Sequence, residues 1–346
     1  MYIVNALLLT ALLLAPIEIG FATQAAGDPA EPDDATECAC LRSVVQFDVS
    51  SVEKILLRPE EILEDPDRFW KEDEAYELVA RWHARTDQPL DLEAWQKQIE
   101  SIRDLPLAER ENHPQLIAAR GLAAIEDAFV AGAVPHVCAF LPPEADLSTT
   151  IYFTTEIMAA GFQESGDIVI HILNHELQNM FVHEVFHRGF VSVYRLSGNP
   201  NPEADPIRRM YLALQNEGIA TYVAYEARAE FPQIGEVGRS LVAGDYDMLE
   251  TAEEVDRLFN ELVGLLREAP DMAVEELQQE SWEVGVRGRA YYVVGAHMAA
   301  AIDKALGREA LIGTIRIGPL AFLKVYNAVV TEGSRLPEVH KASSGI

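Results

Sequence analysis

Positive charge is scarce in this chain. Only 27 Lys and Arg residues stand against 56 Asp and Glu among 346 residues, which gives a formal net charge of −29. Phosphate backbones and anionic lipids attract proteins through clustered basic charge, so nucleic acid is excluded as a predicted partner. We expect the acidic residues to form a solvated surface. Apolar residues make up 49% of the chain, which is enough for one large or two modest hydrophobic cores.

Long apolar segments are also missing near the N-terminus. The run from Ala6 to Ala15 is followed by Pro16. Ten residues are too few to cross a hydrocarbon core of about 30 Å as a helix, which disfavours a membrane anchor. The run and the small residues after it, such as Ala22 and Ala25, resemble a secretory signal peptide. We therefore expect residues 1–25 to be removed and the mature chain to be secreted or periplasmic, without stable membrane insertion.

Cysteine is scarce too, with three residues, Cys38, Cys40 and Cys138. An oxidising compartment would allow Cys138 to pair with either of the first two, leaving one thiol over. A Cys-x-Cys pair alone is a weak metal signal, so we interpret these residues as structural.

The hydrophobic periodicity changes twice along the chain. Apolar residues recur at helical spacing across residues 52–130, which predicts a helical region. Short runs typical of strands follow at residues 134–141, 149–155 and 167–173. From residue 174 onward the pattern is nearly all helical. The sequence therefore predicts an α+β fold with a small sheet.

Two helices after the strands carry the residues that matter most. The first helix is predicted from residue 174 to Tyr194. The second should begin at Asp205 and Pro206, an N-cap residue followed by a proline at the first helical position, and should end near Ala229.

The first of these helices contains His183-Glu184-Val185-Phe186-His187. Histidines four residues apart lie on one helix face, so both imidazoles can reach one ion, with the glutamate beside it. Zinc suits such ligands, and three protein ligands leave a fourth position for a water molecule. We predict Glu184 to be the general base, whereas a purely structural site would need no such residue.

Glu217 is the candidate third ligand. It stands in Asn216-Glu217-Gly218-Ile219-Ala220 within the second helix. We expect Gly218 and Ala220 to let this helix pack closely against the first, as a side chain as short as glutamate requires.

These residues resemble the gluzincin metallopeptidases, in which a His-Glu-x-x-His helix precedes a helix that supplies a glutamate ligand, often within Glu-Gly-x-Ala. The closest resemblance is to poorly characterised bacterial families of zinc-dependent proteases. Their downstream Tyr-x-x-Gly segment, followed by His or Met, is matched by Tyr292-Val-Val-Gly295-Ala-His297-Met298. The resemblance covers roughly residues 149–330 and implies a zincin-like catalytic domain that hydrolyses peptide or protein substrates.

The resemblance also implies further roles. Tyr292 and His297 are candidates for stabilising the oxyanion, but five residues on a helix separate them by about 140°, so only one should face the metal. We favour Tyr292, because Gly295 and Ala299 share its face and leave room for substrate. The strand at residues 167–173 is expected to be the sheet edge that binds extended peptide.

One residue departs from the thermolysin-like pattern, in which the residue four after the glutamate ligand is an aspartate that orients a histidine ligand. Here that residue is Thr221. Either a backbone carbonyl or another acid orients the histidine, or turnover is modest.

The sequence thus predicts a signal peptide (1–25), a linker or tail (26–51), a helical region (52–132) and a zincin-like catalytic domain (133–346). It predicts Zn²⁺ as cofactor. Two alternatives remain open: another zinc hydrolase, and a secreted binding protein with a structural or vestigial zinc site.

Overall fold

A computed structural model of the chain describes residue 40 and residues 44–86, 90–155, 161–172, 177–198, 205–230 and 241–339. The predicted signal peptide lies outside the described residues. None of the described helices is both long and apolar enough to cross a membrane.

A four-stranded mixed sheet lies within a mostly helical protein, which confirms the predicted α+β class. The strands, in the spatial order β1-β2-β4-β3, are β1 Val45–Asp48, β2 Thr149–Thr154, β4 Asp167–His171 and β3 Gly161–Glu164. β1 pairs with β2 and β2 with β4 in parallel, whereas β3 is antiparallel to β4. The central strands are nearly continuous in buried apolar residues, as expected for strands covered on both faces.

Seven helices precede β2 among the described residues. They are α1 Ser50–Leu57, α2 Pro59–Glu64, α3 Pro66–Glu72, α4 Glu74–Thr86, α5 Leu92–Arg103, α6 Leu107–Glu111 and α7 Pro114–Cys138. The helices α1, α4 and α7 contact the sheet. The boundary proposed at residue 132 stays a prediction; described residues on both sides of it contribute to the same hydrophobic core.

In the described part of the chain, eight α-helices follow the sheet, with a π-helical segment at Trp282–Arg287 before α13. They are α8 Leu177–Leu196, α9 Pro206–Glu230, α10 Leu241–Leu249, α11 Ala252–Glu268, α12 Val274–Ser281, α13 Ala290–Leu306, α14 Arg308–Ile317 and α15 Pro319–Val329. The predicted start of α9 is confirmed: the Asp205 carboxylate accepts hydrogen bonds from the backbone N–H groups of Ile207 and Arg208 at 3.0 and 3.2 Å.

Two of the three predicted strands are confirmed, as β2 and β4. The strand predicted at residues 134–141 is wrong, because this run forms the end of α7 and the turn after it. Val134, Val137 and Cys138 of this run are buried at helical spacing. A short apolar run does not by itself distinguish a strand from a buried helix segment.

Two strands were not predicted. β1 lies within the segment predicted to be a linker. β3 joins β4 through Ser165 and Gly166, whose φ angles of 56° and 99° are those of a tight hairpin turn. The Ser-Gly pair is a turn signal, and it was the available clue to this hairpin.

A disulfide joins Cys40 to Cys138 and so links the segment before β1 to the end of α7. Of the two predicted pairings of Cys138, the structure has the one with Cys40.

We expect Cys138→Ala to lower the free energy of unfolding by about 2–5 kcal/mol, because the bond closes a loop of 98 residues and restricts the unfolded chain. Cys38→Ala is the matched control and should change it little. Denaturant unfolding of both variants under non-reducing conditions tests this, and a larger loss in the Cys38 variant would assign the bond to the other cysteine.

Candidate metal site

Three side chains from α8 and α9 converge, as the motifs predict. The Nε2 atoms of His183 and His187 lie 2.9 Å apart, and Oε2 of Glu217 lies 3.3 and 3.2 Å from them. Ligand atoms about 2.0–2.1 Å from a tetrahedral zinc ion are separated by about 3.3 Å, so this donor set fits zinc in both type and spacing. Among the described residues, this is the one cluster of His, Cys, Asp or Glu able to hold a metal ion.

Asn216 orients one of the imidazoles. The Nδ1–H of His187 donates to Oδ1 of Asn216 at 2.9 Å, so Nε2 is the ring nitrogen that faces the cluster. For His187 this amide stands in place of the backbone carbonyl or second acid that the sequence analysis considered, and the remaining alternative, modest turnover, stays a prediction. Thr221 lines the same cavity, and its buried hydroxyl has no hydrogen-bond partner among the described residues.

The polar groups of the cluster are electrostatically coupled. Burial and the nearby His187 lower the pKa of His183 to about 4. Burial opposes protonation of His187, but the carboxylate of Glu217 outweighs it and raises that pKa. The same histidines hold the pKa of Glu217 below its usual range despite desolvation. A cation binding here therefore displaces a proton shared within the cluster.

Glu184 lies beside the ligands, buried in the same cavity. Burial raises the pKa of its carboxyl to about 7; His187 opposes this shift and Glu217 adds to it. Its backbone carbonyl accepts a hydrogen bond from the Gln163 side chain of β3 at 2.8 Å, so α8 and β3 are joined at this point.

The cluster opens into a cavity of about 760 Å³. One part of its wall comes from α4 and β3, with Trp82 and Phe162 stacked at 5.0 Å between ring centroids. Another part comes from the π-helical segment, which contributes Trp282 and Val286. π-helical turns recur at functional sites, so the position of this one agrees with a functional cavity.

Tyr292 lines the cavity and His297 does not. The ring of Tyr292 lies 6.1 Å from that of His183 with an interplanar angle of 18°. No hydrogen bond to the Tyr292 hydroxyl is found within the described parts of the chain, whereas the neighbouring Tyr291 hydroxyl bonds Ser281 at 2.6 Å. The side chain of His297 is exposed on α13, as the angular separation of the two residues requires.

Gly218 and Gly295 bring α9 and α13 together. A Cβ built on Gly295 would lie 2.6 Å from the Cα of Gly218, and one built on Gly218 would fall on the Gly295 backbone. The expectation that Gly218 packs against α8 is therefore wrong, since its neighbour is α13. Gly295 likewise does not leave room for substrate. The sequence reasoning identified both glycines but paired neither correctly.

The strand expected to bind substrate also needs correction. β4 is paired on both sides, with β2 and β3, and so has no free edge. The edge that lines the cavity is β3, through Gly161, Phe162 and Gln163. Sequence periodicity could not reveal this order, because β3 contains no apolar run.

Asp245 of α10 and Arg289, immediately before α13, are charged cavity residues that the sequence analysis did not predict. They form a bidentate ion pair, and no motif in the sequence links them.

Comparison with known protein families places this geometry in context. The family model described as "Putative zinc dependent peptidase (DUF5700)" matches residues 70–334, which span the helices from α4 to α15 and include the candidate site. The chain belongs to this family. No curated protein and no solved structure matches it.

We expect Gly218→Ala to lower the protein's free energy of unfolding by about 1–3 kcal/mol, because the added methyl group has no space against α13. Gly264→Ala is the matched control. A Cβ at that helical glycine would meet nothing within 4 Å, so this variant should gain about 0.5–1 kcal/mol. Chemical denaturation measures both, and equal effects of one sign would contradict the close helix contact.

Proposed function

We propose that this protein is a zinc-dependent peptidase of the gluzincin type, with His183, His187 and Glu217 as the metal ligands. The convergence of three ligand atoms within 4.8 Å of one another, beside a buried glutamate, carries the proposal. The family description supports the metal and the reaction. The site is also open to a cavity, whereas structural zinc sites are closed by a fourth protein ligand.

A bound zinc ion would act as a Lewis acid, lowering the pKa of a water molecule and polarising the scissile carbonyl. The protein's own groups then perform the proton transfers. Glu184 accepts the proton of the attacking water and returns it to the leaving amine. Burial in the same cavity holds this carboxylate close to the ligands.

Tyr292 is the proposed donor to the developing oxyanion. Its hydroxyl has no partner among the described residues and its ring is held beside His183. A donor already oriented in a partly dry cavity stabilises charge without further reorganisation. Among the two candidates the proposal retains Tyr292, since His297 does not line the cavity.

β3 is the proposed site of substrate backbone binding. No strand among the described residues pairs with its outer edge, and Gly161, Phe162 and Gln163 of the strand line the cavity. The Gln163 hydrogen bond ties the strand to α8. An extended peptide added to this edge would satisfy backbone hydrogen bonds irrespective of its sequence. Export of the mature chain remains a proposal, supported by the N-terminal segment and the disulfide.

We expect one zinc ion per chain, with zinc lost or sharply weakened in His183→Ala, His187→Ala and Glu217→Ala. Each variant removes one of three protein ligands. Elemental analysis after dialysis measures this, with His297→Ala as the exposed-histidine control that keeps its metal. Unchanged zinc in all three ligand variants would refute the assignment.

Glu184→Gln should keep zinc and melting temperature while lowering kcat by about 10²–10⁴, because an amide accepts no proton in the reaction. Glu226→Gln, an exposed glutamate on α9, should have no such effect. Digestion of a peptide library, followed by mass spectrometry, compares the two. Full activity of Glu184→Gln would remove this residue from the mechanism.

Tyr292→Phe should lower kcat by about 10–10³ with nearly unchanged zinc content and melting temperature. Tyr291→Phe is the matched control. It loses the hydrogen bond to Ser281, so it should lower the melting temperature while changing kcat little. His297→Gln should change kcat little. The reverse order of Tyr292 and His297 effects would transfer the role to His297.

A further inference from the structure

Arg289 adopts an unusual backbone conformation at the edge of the cavity. With φ 70° and ψ 12° it is in the left-handed region immediately before α13. Residues with a Cβ are disfavoured in this conformation, because the Cβ approaches the carbonyl oxygen of the backbone too closely. Such outliers persist where the surrounding structure enforces them, often at binding sites. Here the backbone turn directs a guanidinium to the cavity wall.

Asp245 holds that guanidinium by one edge. Nε of Arg289 donates to Oδ1 of Asp245 at 2.8 Å, and Nη2 donates to Oδ2 at 2.5 Å. The Asp245 side chain is 2% exposed and that of Arg289 16%, so the acid lies deeper and the guanidinium nearer to the cavity. The pair is therefore arranged as a buried anion supporting a more accessible cation.

The opposite edge of the guanidinium remains available. Arginine has five N–H donors in a planar fork. Asp245 takes the side formed by Nε and Nη2, and Nη1 has a marginal contact of 3.4 Å with the carbonyl of Val286. No further hydrogen-bond or ion-pair partner of Arg289 is found among the described residues. One N–H on Nη1 and one on Nη2 have no acceptor among the described residues. The spacing of these two donors matches that of the two oxygens of a carboxylate in a bidentate pair.

This edge lies next to the proposed reaction centre. The guanidinium carbon is 3.3 Å from the centroid of the Tyr292 ring, which itself lies beside His183. The other arginines of the cavity, Arg85 and Arg287, are exposed and paired with Glu164 and Glu283. An exposed ion pair holds its side chains only weakly. Among the described residues, Arg289 is therefore the arginine of the cavity wall that a buried carboxylate holds in place.

We infer that Arg289 is a binding subsite for a carboxylate of the substrate, either the chain terminus or an Asp or Glu side chain. This inference rests on the proposed peptidase function. Because a net charge of −29 repels anionic groups at long range, binding of a substrate carboxylate in this cavity would depend on a local cation such as Arg289.

The first test uses the unmodified protein supplied with zinc. A mixed-sequence peptide library is digested in two forms, with free C-terminal carboxylates and with C-terminal amides, and an internal Glu library is compared with its Gln counterpart. A tenfold to hundredfold preference for one carboxylate form, mainly in kcat/KM, is expected and identifies the source. Equal cleavage of all four libraries overturns the inference and leaves the peptidase proposal standing.

Variants of Arg289 distinguish direct binding of the substrate carboxylate from an indirect effect of Arg289 on the position of Tyr292. Arg289→Gln alone leaves Asp245 buried without a partner, so the double variant Asp245→Asn/Arg289→Gln keeps the pair neutral and the shape similar. It should lose the carboxylate preference while its melting temperature stays close to that of the parent. A uniform loss of kcat on acid and amide peptides alike would instead make Arg289 a positioning residue and overturn the inference.

Equilibrium binding separates this result from failure of the proposed function. Glu184→Gln is titrated with the same acid and amide libraries, and retained peptides are identified by mass spectrometry. Preferential retention of the carboxylate form, lost in the Arg289 double variant, supports the subsite even if no peptide is cleaved. Retention without preference overturns it.

Discussion

The contact between Gly218 and Gly295 is the constraint on which the candidate site depends. Glu217 precedes one glycine and Tyr292 stands three residues before the other, so the closeness of the two backbones sets how near these side chains lie. A methyl group between the two helices would change their spacing and so move Glu217 relative to the α8 histidines. The position of the third ligand thus depends on the packing of α9 against α13 as well as on its packing against α8.

That close packing accommodates a dense group of polar side chains. Two imidazoles, two carboxylates and an Asp–Arg pair share one cavity. Burial of charged groups disfavours folding unless they are paired or bind an ion. Asp245 and Arg289 satisfy each other, whereas the His and Glu side chains are held in mutual contact at 2.9–3.3 Å. The surrounding apolar core therefore maintains an arrangement that its polar members would not form alone.

Sequence reasoning predicted the site where local periodicity determines geometry. His183 and His187 are one turn apart on a single helix, so their convergence follows from helical spacing. Glu217 required the additional assumption that α8 and α9 pack together, which is correct. Arg289 and Asp245 are 44 residues apart in the sequence and meet because α10 packs against α13. No local spacing of residues predicts a contact that depends on tertiary packing. The order of the strands escaped prediction for the same reason, because β3 becomes an edge through pairing and not through its own residues.

The candidate ligands and the cavity wall come from different parts of the chain. α8 and α9 carry the ligands, while β3 and the π-helical segment contribute side chains such as Phe162 and Trp282 to the wall. Substitutions in the wall can change its shape and charge without moving the ligand atoms, since those are held by the contacts among α8, α9 and α13. Arg289 connects the two, because its guanidinium is in the wall while its backbone immediately precedes the helix that contacts Gly218. Its partner Asp245 lies on α10, which carries no candidate ligand, so a change confined to the side chains of this pair alters the charge of the wall and leaves the contact between Gly218 and Gly295 in place.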